Sequence, residues 1–446
     1  MLPFLLTFIL KNNIIFKGSD IMQKPKGTYD IFGKKASQML YFRKLFSALM
    51  DKYNYKYFET PIFESSELFH RGVGETTDIV SKETYDFKDR GNRNLTLRPE
   101  GTAGLVRCFI ENKLYADSLP VKSWYYGPMF RYERPQSGRY RQFYQAGAEV
   151  FGSYDPLMDA EVISIVVNLF RLLGLKGIKV NLNTLGDSES RENYRNALVN
   201  YFKPYLNDLC DDCKNRFEKN PLRILDCKVD CDKEIMKNAP KMTDFLNDDS
   251  KNHFEKVKEY LDSMDIEYVV NTNVVRGLDY YTHTVFEVEA DIEGFGSQNV
   301  LGGGGRYNNL VSNIGGPSTG GVGFAIGVDR LMLALEAEGI DICDEDELEI
   351  YAIPMSSEQN CKCMSLVNNL RLNGFNVDMD FNGRNLKSNF KYADKIGAKY
   401  IIILGEEEIQ SGVLTIKDNR SKQEFKVNYS EIVEFFDDKL GDIDED

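Results

Sequence analysis

No long hydrophobic run is present. The most apolar stretch, the opening MLPFLLTFIL, is too short to span a bilayer, which takes ~20 residues. A basic segment ahead of it and a small-residue cleavage site behind it are also missing, which argues against a secretory leader. Residues 1–21 therefore read as an upstream extension, an over-called start codon included, with a targeting peptide as the other reading. Domain-like sequence begins at Met22. Positive charge is in deficit: 55 Lys and Arg against 69 Asp and Glu give a net charge of −14. A general nucleic-acid coat is thereby excluded, and any nucleic-acid contact must use local basic patches. The eight cysteines include two close pairs but no pattern of a secreted disulfide framework, so a reducing cytosol is the expected compartment. There is no internal repeat. What remains is ordinary globular composition over 446 residues, enough for two or three domains.

The most informative stretch is 130–152, FRYERPQSGRYRQFYQAGAEVFG. It predicts a hairpin, with Phe130 to Arg134 leading into a turn punctuated by Pro135 and Gly138, and an aromatic-rich return strand. Period-two alternation puts Arg139, Arg141, Phe143, Gln145, Gly147 and Glu149 on one face of that return. Cations suit phosphate, a ring suits a base, and an amide with a carboxylate suits a small polar substrate. A solvated polar face of an antiparallel sheet is the plainer reading of the same pattern.

Around it, residues 37–53 carry apolar residues at helical spacing. Tyr57 to Ile62 reads as a strand whose Pro61 favours an edge position. LTLRPEGTAG (95–104) places Glu100 and Thr102 at a strand-to-helix turn. There they could converge on an ammonium group or serve as a helix cap. A helix over 156–174 and a strand over 178–182 follow. VRGLDYYTHTVFEVE (275–289) predicts a strand with Arg276, Tyr280 and Tyr281 at a pocket. VLGGGGRYNNLV (300–311) matches neither a GxGxxG nor a P-loop pattern, which argues against a dinucleotide site. Its glycines fit close backbone approach to a ligand, or equally a bulge or flexible loop. Arg330 sits where a strand meets a helix N-terminus, a place suited to phosphate, though an exposed arginine on a core helix fits as well.

Residues 187–271 change character and read as an inserted, mostly helical domain. Cys210, Cys213, Cys227 and Cys231 have spacing compatible with a structural zinc site, against which stand their helical surroundings and the lack of a glycine after either pair. Free thiols are the alternative. Beyond an acidic linker near 337–348, alternating strands and helices predict a small βαβ domain with a parallel sheet. In it Lys387, Lys391 and Lys395 line one helix face, either for a phosphate backbone or as a solvated surface. The tail GDIDED reads as disordered.

Taken in order, TLRPEGT, FRYERPQSGRYRQF, RGLDYY, GGGGRY and GFAIGVDRL resemble the histidyl-tRNA synthetases of class II. The resemblance runs from about Gly27 to Leu440 and implies an α+β fold. A six-stranded antiparallel catalytic sheet flanked by helices (22–186 and 272–338) is expected, with a mostly helical insertion (187–271) and a C-terminal α/β anticodon-binding domain (347–440). It implies a cytoplasmic homodimer without membrane attachment. Such an enzyme activates L-histidine with ATP and Mg²⁺ and transfers it to tRNA(His). By the resemblance Glu100, Thr102 and Gln145 hold the substrate ammonium. Glu149 and Tyr281 bind the imidazole nitrogens, and Tyr280 shapes the pocket. Arg131 and Arg276 grip the α-phosphate and substrate carboxylate as the catalytic pair; Glu133, Phe143 and Arg330 complete the ATP site. Arg139 and Arg141 meet the tRNA acceptor end, and Lys387, Lys391 and Lys395 contact tRNA further away. No catalytic metal ligand is expected in the chain itself, and no side chain is placed as general base for transfer. Three departures stand out: Asn308-Asn309 after the glycine block, the first 21 residues, and the four inserted cysteines. A catalytically inactive regulatory paralogue that binds histidine is the rival reading. Arg131, Arg276, Arg330 and the C-terminal module disfavour it.

Overall fold

The computed structural model describes residues 22–440 apart from 75, 76, 78, 226, 228, 273, 275–277, 293, 294, 296–298 and 344–347. It divides into two units, Met1–Cys343 and Asp344–Asp446. In chain order the first unit has strands β1 (Lys56–Tyr57), β2 (Phe63–Ser65), β3 (Tyr85–Lys88), β4 (Asn94–Leu97), β5 (Val121–Phe130) and β6 (Gln142–Phe151). β7 (Lys179–Thr184), β8 (Tyr268–Val270), β9 (Thr282–Glu289), β10 (Val300–Arg306) and β11 (Gly321–Gly327) follow. Eight of them form one sheet in the order β1-β5-β6-β11-β10-β9-β7-β8, and β2-β4-β3 form a small second sheet. Every inner pairing from β5 through to β7 is antiparallel, while β1 and β8 join the two ends in parallel. The expected six-stranded antiparallel sheet is present, lengthened by one short strand at each edge.

Alternation along β6 sorts its two faces. Ala146, Ala148 and Val150 enter the main core. Helix α1 (Lys34–Lys52) covers that side with Met39, Phe42, Phe46 and Leu49, three or four residues apart, and with Met50. On the opposite side helix α2 (Thr102–Glu111) brings Leu105, Val106 and Phe109 against Tyr125, Met129 and Tyr307. Helix α3 (Pro156–Leu172) starts cleanly: the Asp155 carboxylate accepts from the Leu157 amide and Pro156 occupies the first turn.

The predicted hairpin differs from the observed one. β5 already ends at Phe130 and β6 begins at Gln142, so Arg139 and Arg141 lie in the connecting loop rather than on the strand face. The loop consumes its own backbone groups: Gln136 and Arg139 exchange bonds of 3.1 and 3.0 Å, and the Arg141 amide goes to the Gly27 carbonyl at 2.8 Å. Similarly, of the predicted Tyr57–Ile62 strand only Tyr57 belongs to the two-residue edge strand β1 before the chain crosses to the small sheet.

Within 187–271, helices α4 (Ser188–Phe202) and α5 (Asp211–Lys219) share a separate core with Tyr194, Leu198, Phe202, Cys213 and Ile224. Helix α6 (Asp248–Ser263) instead sends Phe254, Val257 and Leu261 into the main core. Helix α7 (Val328–Ala337) closes the unit.

The second unit holds β12 (Ile350–Pro354), α8 (Asn360–Leu372), β13 (Val377–Met379), α9 (Leu386–Lys395), β14 (Tyr400–Leu404), β15 (Val413–Asp418), β16 (Glu424–Asn428) and α10 (Ile432–Leu440). β13, β12 and β14 are parallel, but β15 and β16 return as antiparallel strands. The sheet is therefore mixed rather than wholly parallel. Ile350 and Ala352 face α8 and α10, whereas Tyr351 and Ile353 face α9. Both faces are covered, as a βαβ unit requires.

Candidate functional site

Glu149 is the deepest polar group of the site face, 1% exposed. The Thr102 hydroxyl donates to its Oε1 at 2.6 Å, and the Tyr307 hydroxyl donates to Oε2. Burial pushes its pKa up to about 8 against those two bonds, with Glu100 adding to the rise. Glu100 is also raised by burial; its carboxylate accepts from the amides of Thr102 (2.7 Å) and Ala103 (2.8 Å) at the start of α2. Of the two roles their position allowed, the capping one is filled by Glu100, while Thr102 turns its hydroxyl to Glu149.

Tyrosines enclose the carboxylates. The Tyr280 ring lies tilted 4.7 Å from that of Tyr281 and edge-on 5.6 Å from that of Tyr307, centroid to centroid. Burial holds the hydroxyls of Tyr125, Tyr280 and Tyr307 well above their ordinary pKa, so they remain protonated donors. Two buried polar atoms here, the Tyr125 hydroxyl and Gln145 Oε1, have no hydrogen-bond partner among the described residues. Orphaned groups of this kind cost roughly 1–3 kcal/mol each unless a ligand satisfies them. The pocket is shaped by missing side chains as well: a Cβ on Gly323 would lie 1.8 Å from Glu149 Oε2.

Gln145 links this pocket to a cleft of about 300 Å³ lined by Arg131, Glu133, Arg139, Phe143 and Arg330. The Arg131 guanidinium lies 5.3 Å over the Phe143 ring and donates through Nε to the Pro99 carbonyl at 3.0 Å. Arg330 donates to the Val300 carbonyl at 2.9 Å. Its pKa is lowered by burial and by the charges of Arg139 and Arg131. Three arginines thus share one cleft with Glu133, which reaches Arg139 only at 3.8 Å, and with Glu83 and Asp329, an arrangement able to hold an anion on its arginine side. Gly302 and Gly303 of β10 line the cleft, so the glycine block is a strand beside a ligand-sized space and not a flexible loop. Its register against β9 shifts at Val300/Gly302 and again at Gly305/Arg306, and the bulge reading holds at its ends.

Not every expected residue converges. Arg141 stacks 3.9 Å from the Tyr132 ring inside the loop. Arg276 lies outside the described residues. Lys387, Lys391 and Lys395 are exposed on α9. Among the cysteines, Cys210, Cys213 and Cys227 converge, but the fourth member is Asp230 and not Cys231. The chain turns after Cys227 so that the Asp230 amide donates to Cys227 Sγ at 3.4 Å, and that turn leaves Cys231 exposed. Sequence reasoning missed Tyr307 and Tyr125. Tyr307 stood within the GGGGRY block, and Tyr125 sits directly opposite Gly147 in the β5–β6 register.

A family model described as histidyl-tRNA synthetase matches residues 27–331, and one described as an anticodon binding domain matches 349–439. The histidine–tRNA ligase of Oceanobacillus iheyensis is 48% identical over 421 residues, 94% of this chain and 98% of that protein. That of Anoxybacillus flavithermus is 49% identical over 407 residues, covering 91% and 96%. The crystal structure of apo S. aureus histidyl-tRNA synthetase superposes with a TM-score of 0.81 at 40% identity, covering 93% of this chain and 100% of that one.

Proposed function

The chain belongs to the histidyl-tRNA synthetase family, and we propose that it is a histidine–tRNA ligase using L-histidine, ATP with Mg²⁺ as its counter-ion, and tRNA(His). The observation that carries the reading is Glu149, a buried carboxyl held between Thr102 and Tyr307 beside two unpartnered polar atoms. In this reading the imidazole meets Glu149, with Tyr281 at the other nitrogen and Tyr280 shaping the wall. Gln145 takes the ammonium group together with Glu100 and Thr102. A carboxyl whose pKa burial raises can share a proton with an imidazole nitrogen placed beside it.

Activation joins two anions, the substrate carboxylate and the α-phosphate of ATP. Positioning and charge neutralisation are then the main catalytic work. Arg131 serves that step with Arg276, since a guanidinium stays charged and offers a planar fork. Phe143 stacks on adenine, Arg330 takes the terminal phosphates, and Glu133 borders the nucleotide. The carboxylate attacks the α-phosphorus, pyrophosphate leaves, and the adenylate is later attacked by the tRNA terminal hydroxyl. Arg139 and Arg141 stand in the loop that meets the acceptor end. Zinc belongs to this reading only as an ion at the inserted cysteines.

Histidine-dependent ATP–pyrophosphate exchange tests the assignment. Exchange with histidine and with no other amino acid is expected; a folded protein that binds histidine without exchange would favour the regulatory paralogue. The lysine stripe gives a second expectation. Reversing Lys387, Lys391 and Lys395 to Glu should raise the KM for tRNA and flatten its salt dependence, because phosphate contacts release counterions, while exchange is unchanged. Unaltered tRNA kinetics would remove the stripe from the interface.

A cytoplasmic homodimer completes the proposal. No helix among the described residues is long and apolar enough to cross a membrane. On the small sheet, Ile62 just before β2 and Phe63 at its start are 45% and 52% exposed, and Phe63 pairs with the exposed ring of Phe87 from β3 at 6.3 Å. Apolar groups exposed together on this small sheet suit burial against a second copy. Phe63→Glu should shift sedimentation from dimer towards monomer, and a monomeric wild type would refute the arrangement.

A further inference from the structure

We propose that Cys210, Cys213, Cys227 and Asp230 form a tetrahedral site for Zn²⁺ that clasps residues 210–230 and thereby positions the Asp279–Tyr281 segment. The second half rests on the histidine-binding role proposed for Tyr281. The four ligand atoms lie within 4.8 Å of one another, with Cys213, Cys227 and Asp230 buried and Cys210 half-buried. A tetrahedron with ~2.3 Å zinc–sulfur arms has sulfurs ~3.8 Å apart. Cys210 Sγ and Cys227 Sγ stand 3.7 Å apart, and Cys227 Sγ and Asp230 Oδ2 stand 3.8 Å apart. The surroundings orient these ligands as second-sphere groups do at metal sites. The Asp230 amide points at Cys227 Sγ (3.4 Å), the Cys210 amide donates to Asp230 Oδ2 (2.9 Å), and Lys233 pairs with Asp230 Oδ1 at 2.7 Å. A cavity of about 620 Å³ bordered by Cys227, Met236 and Pro240 opens beside the cluster and offers an entry path.

Between the two ligand pairs the chain runs through α5 and the turn Pro221–Ile224. From there Arg223 makes an ion pair with Asp279 at 3.0 Å, and Asn220 donates to the same carboxylate oxygen at 3.4 Å. Arg216 braces the Arg223 carbonyl at 3.1 Å. Arg191 from α4 donates to the Tyr281 carbonyl at 3.0 Å. A clasp that closes 210–230 fixes where Arg223 can reach, and so where Tyr280 and Tyr281 stand.

Metal content and Co²⁺ spectra of the full-length protein, stripped by chelator and reloaded, test the site without any reference to activity. One ion per chain, thiolate-to-cobalt charge transfer and the intense visible bands of tetrahedral cobalt are expected. Cys231→Ser should keep all three. Asp230→Ala should weaken retention and change the bands, and Cys227→Ser should abolish the charge-transfer signal or shrink it markedly. No bound ion, a disulfide in its place, or loss of the ion in Cys231→Ser with retention in Asp230→Ala would overturn the site. For the clasp, metal removal and Arg223→Met should each raise the histidine KM in exchange several-fold with the ATP KM unchanged. A loaded site whose removal leaves the histidine KM untouched would overturn the coupling. A failed exchange reaction would count against the ligase reading alone.

Discussion

Glu149→Ala is expected to lower histidine-dependent exchange by at least ~100-fold, with circular dichroism still that of a folded chain. On the proposed reading the variant removes the buried carboxyl that meets the imidazole, and a charged or proton-sharing hydrogen bond of that kind is worth up to ~3 kcal/mol. It also leaves the Thr102 and Tyr307 hydroxyls without their shared acceptor. Exchange at the wild-type rate would remove Glu149 from the site. Glu149→Gln gives an independent check through pH. The folded carboxyl is raised from 4.5 to about 8 by burial, so between those values the folded state binds the extra proton. The contribution to stability is complete below the lower value and disappears as pH rises through the upper one. The wild-type Tm should therefore fall more steeply than that of Glu149→Gln between about pH 5 and 8 in the absence of histidine. Parallel profiles would contradict the raised value.

Arg306→Met should cost ~3–5 kcal/mol of stability, read as a lowered urea midpoint, because it strands a buried carboxylate. Arg306 and Asp159 are both 0% exposed. The guanidinium donates through Nε to Asp159 Oδ1 and Oδ2 at 3.1 and 3.0 Å, and through Nη1 to the Ser153 carbonyl at 2.7 Å. Nη2 serves the Asp155 carbonyl at 3.0 Å. Burial alone would raise the Asp159 pKa, but Arg306 and the His253 contact more than offset it and hold the carboxyl below the usual range. Arg306→Met with Asp159→Leu should recover much of the loss, since matched apolar groups replace a buried pair at little cost. The single variant should also weaken exchange, because Tyr307, the next residue, carries the hydroxyl that reaches Glu149. Full stability in the single variant would show that the pair is not buried in solution.

What sequence could reveal follows from distance along the chain. The alternation on β6 was legible from period two alone, and it placed Phe143, Gln145 and Glu149 on one face as observed. The amphipathic spacing of α1 was equally plain. Tyr307 was not, because the bond to Glu149 joins residues 158 apart and no local pattern records such a meeting. Asp230 escaped for a different reason: cysteine spacing drew attention to Cys231, while the turn after Cys227 selects the neighbouring residue. The displacement of Arg139 and Arg141 from the strand depended on where loop amides found acceptors, one of them as remote as Gly27. The antiparallel return of β15 and β16 likewise needed the pairing itself.

The glycines of β10 and β11 carry one more consequence. A Cβ on Gly304 would sit 2.0 Å from the Gly323 carbonyl oxygen, and one on Gly323 would meet the Glu149 carboxyl. Here the smallest mutational step is the most obstructive. Alanine, the standard probe for deleting a side chain, would behave as a built-in plug, so a scan that equates alanine with loss of contact would rank these positions for the wrong reason.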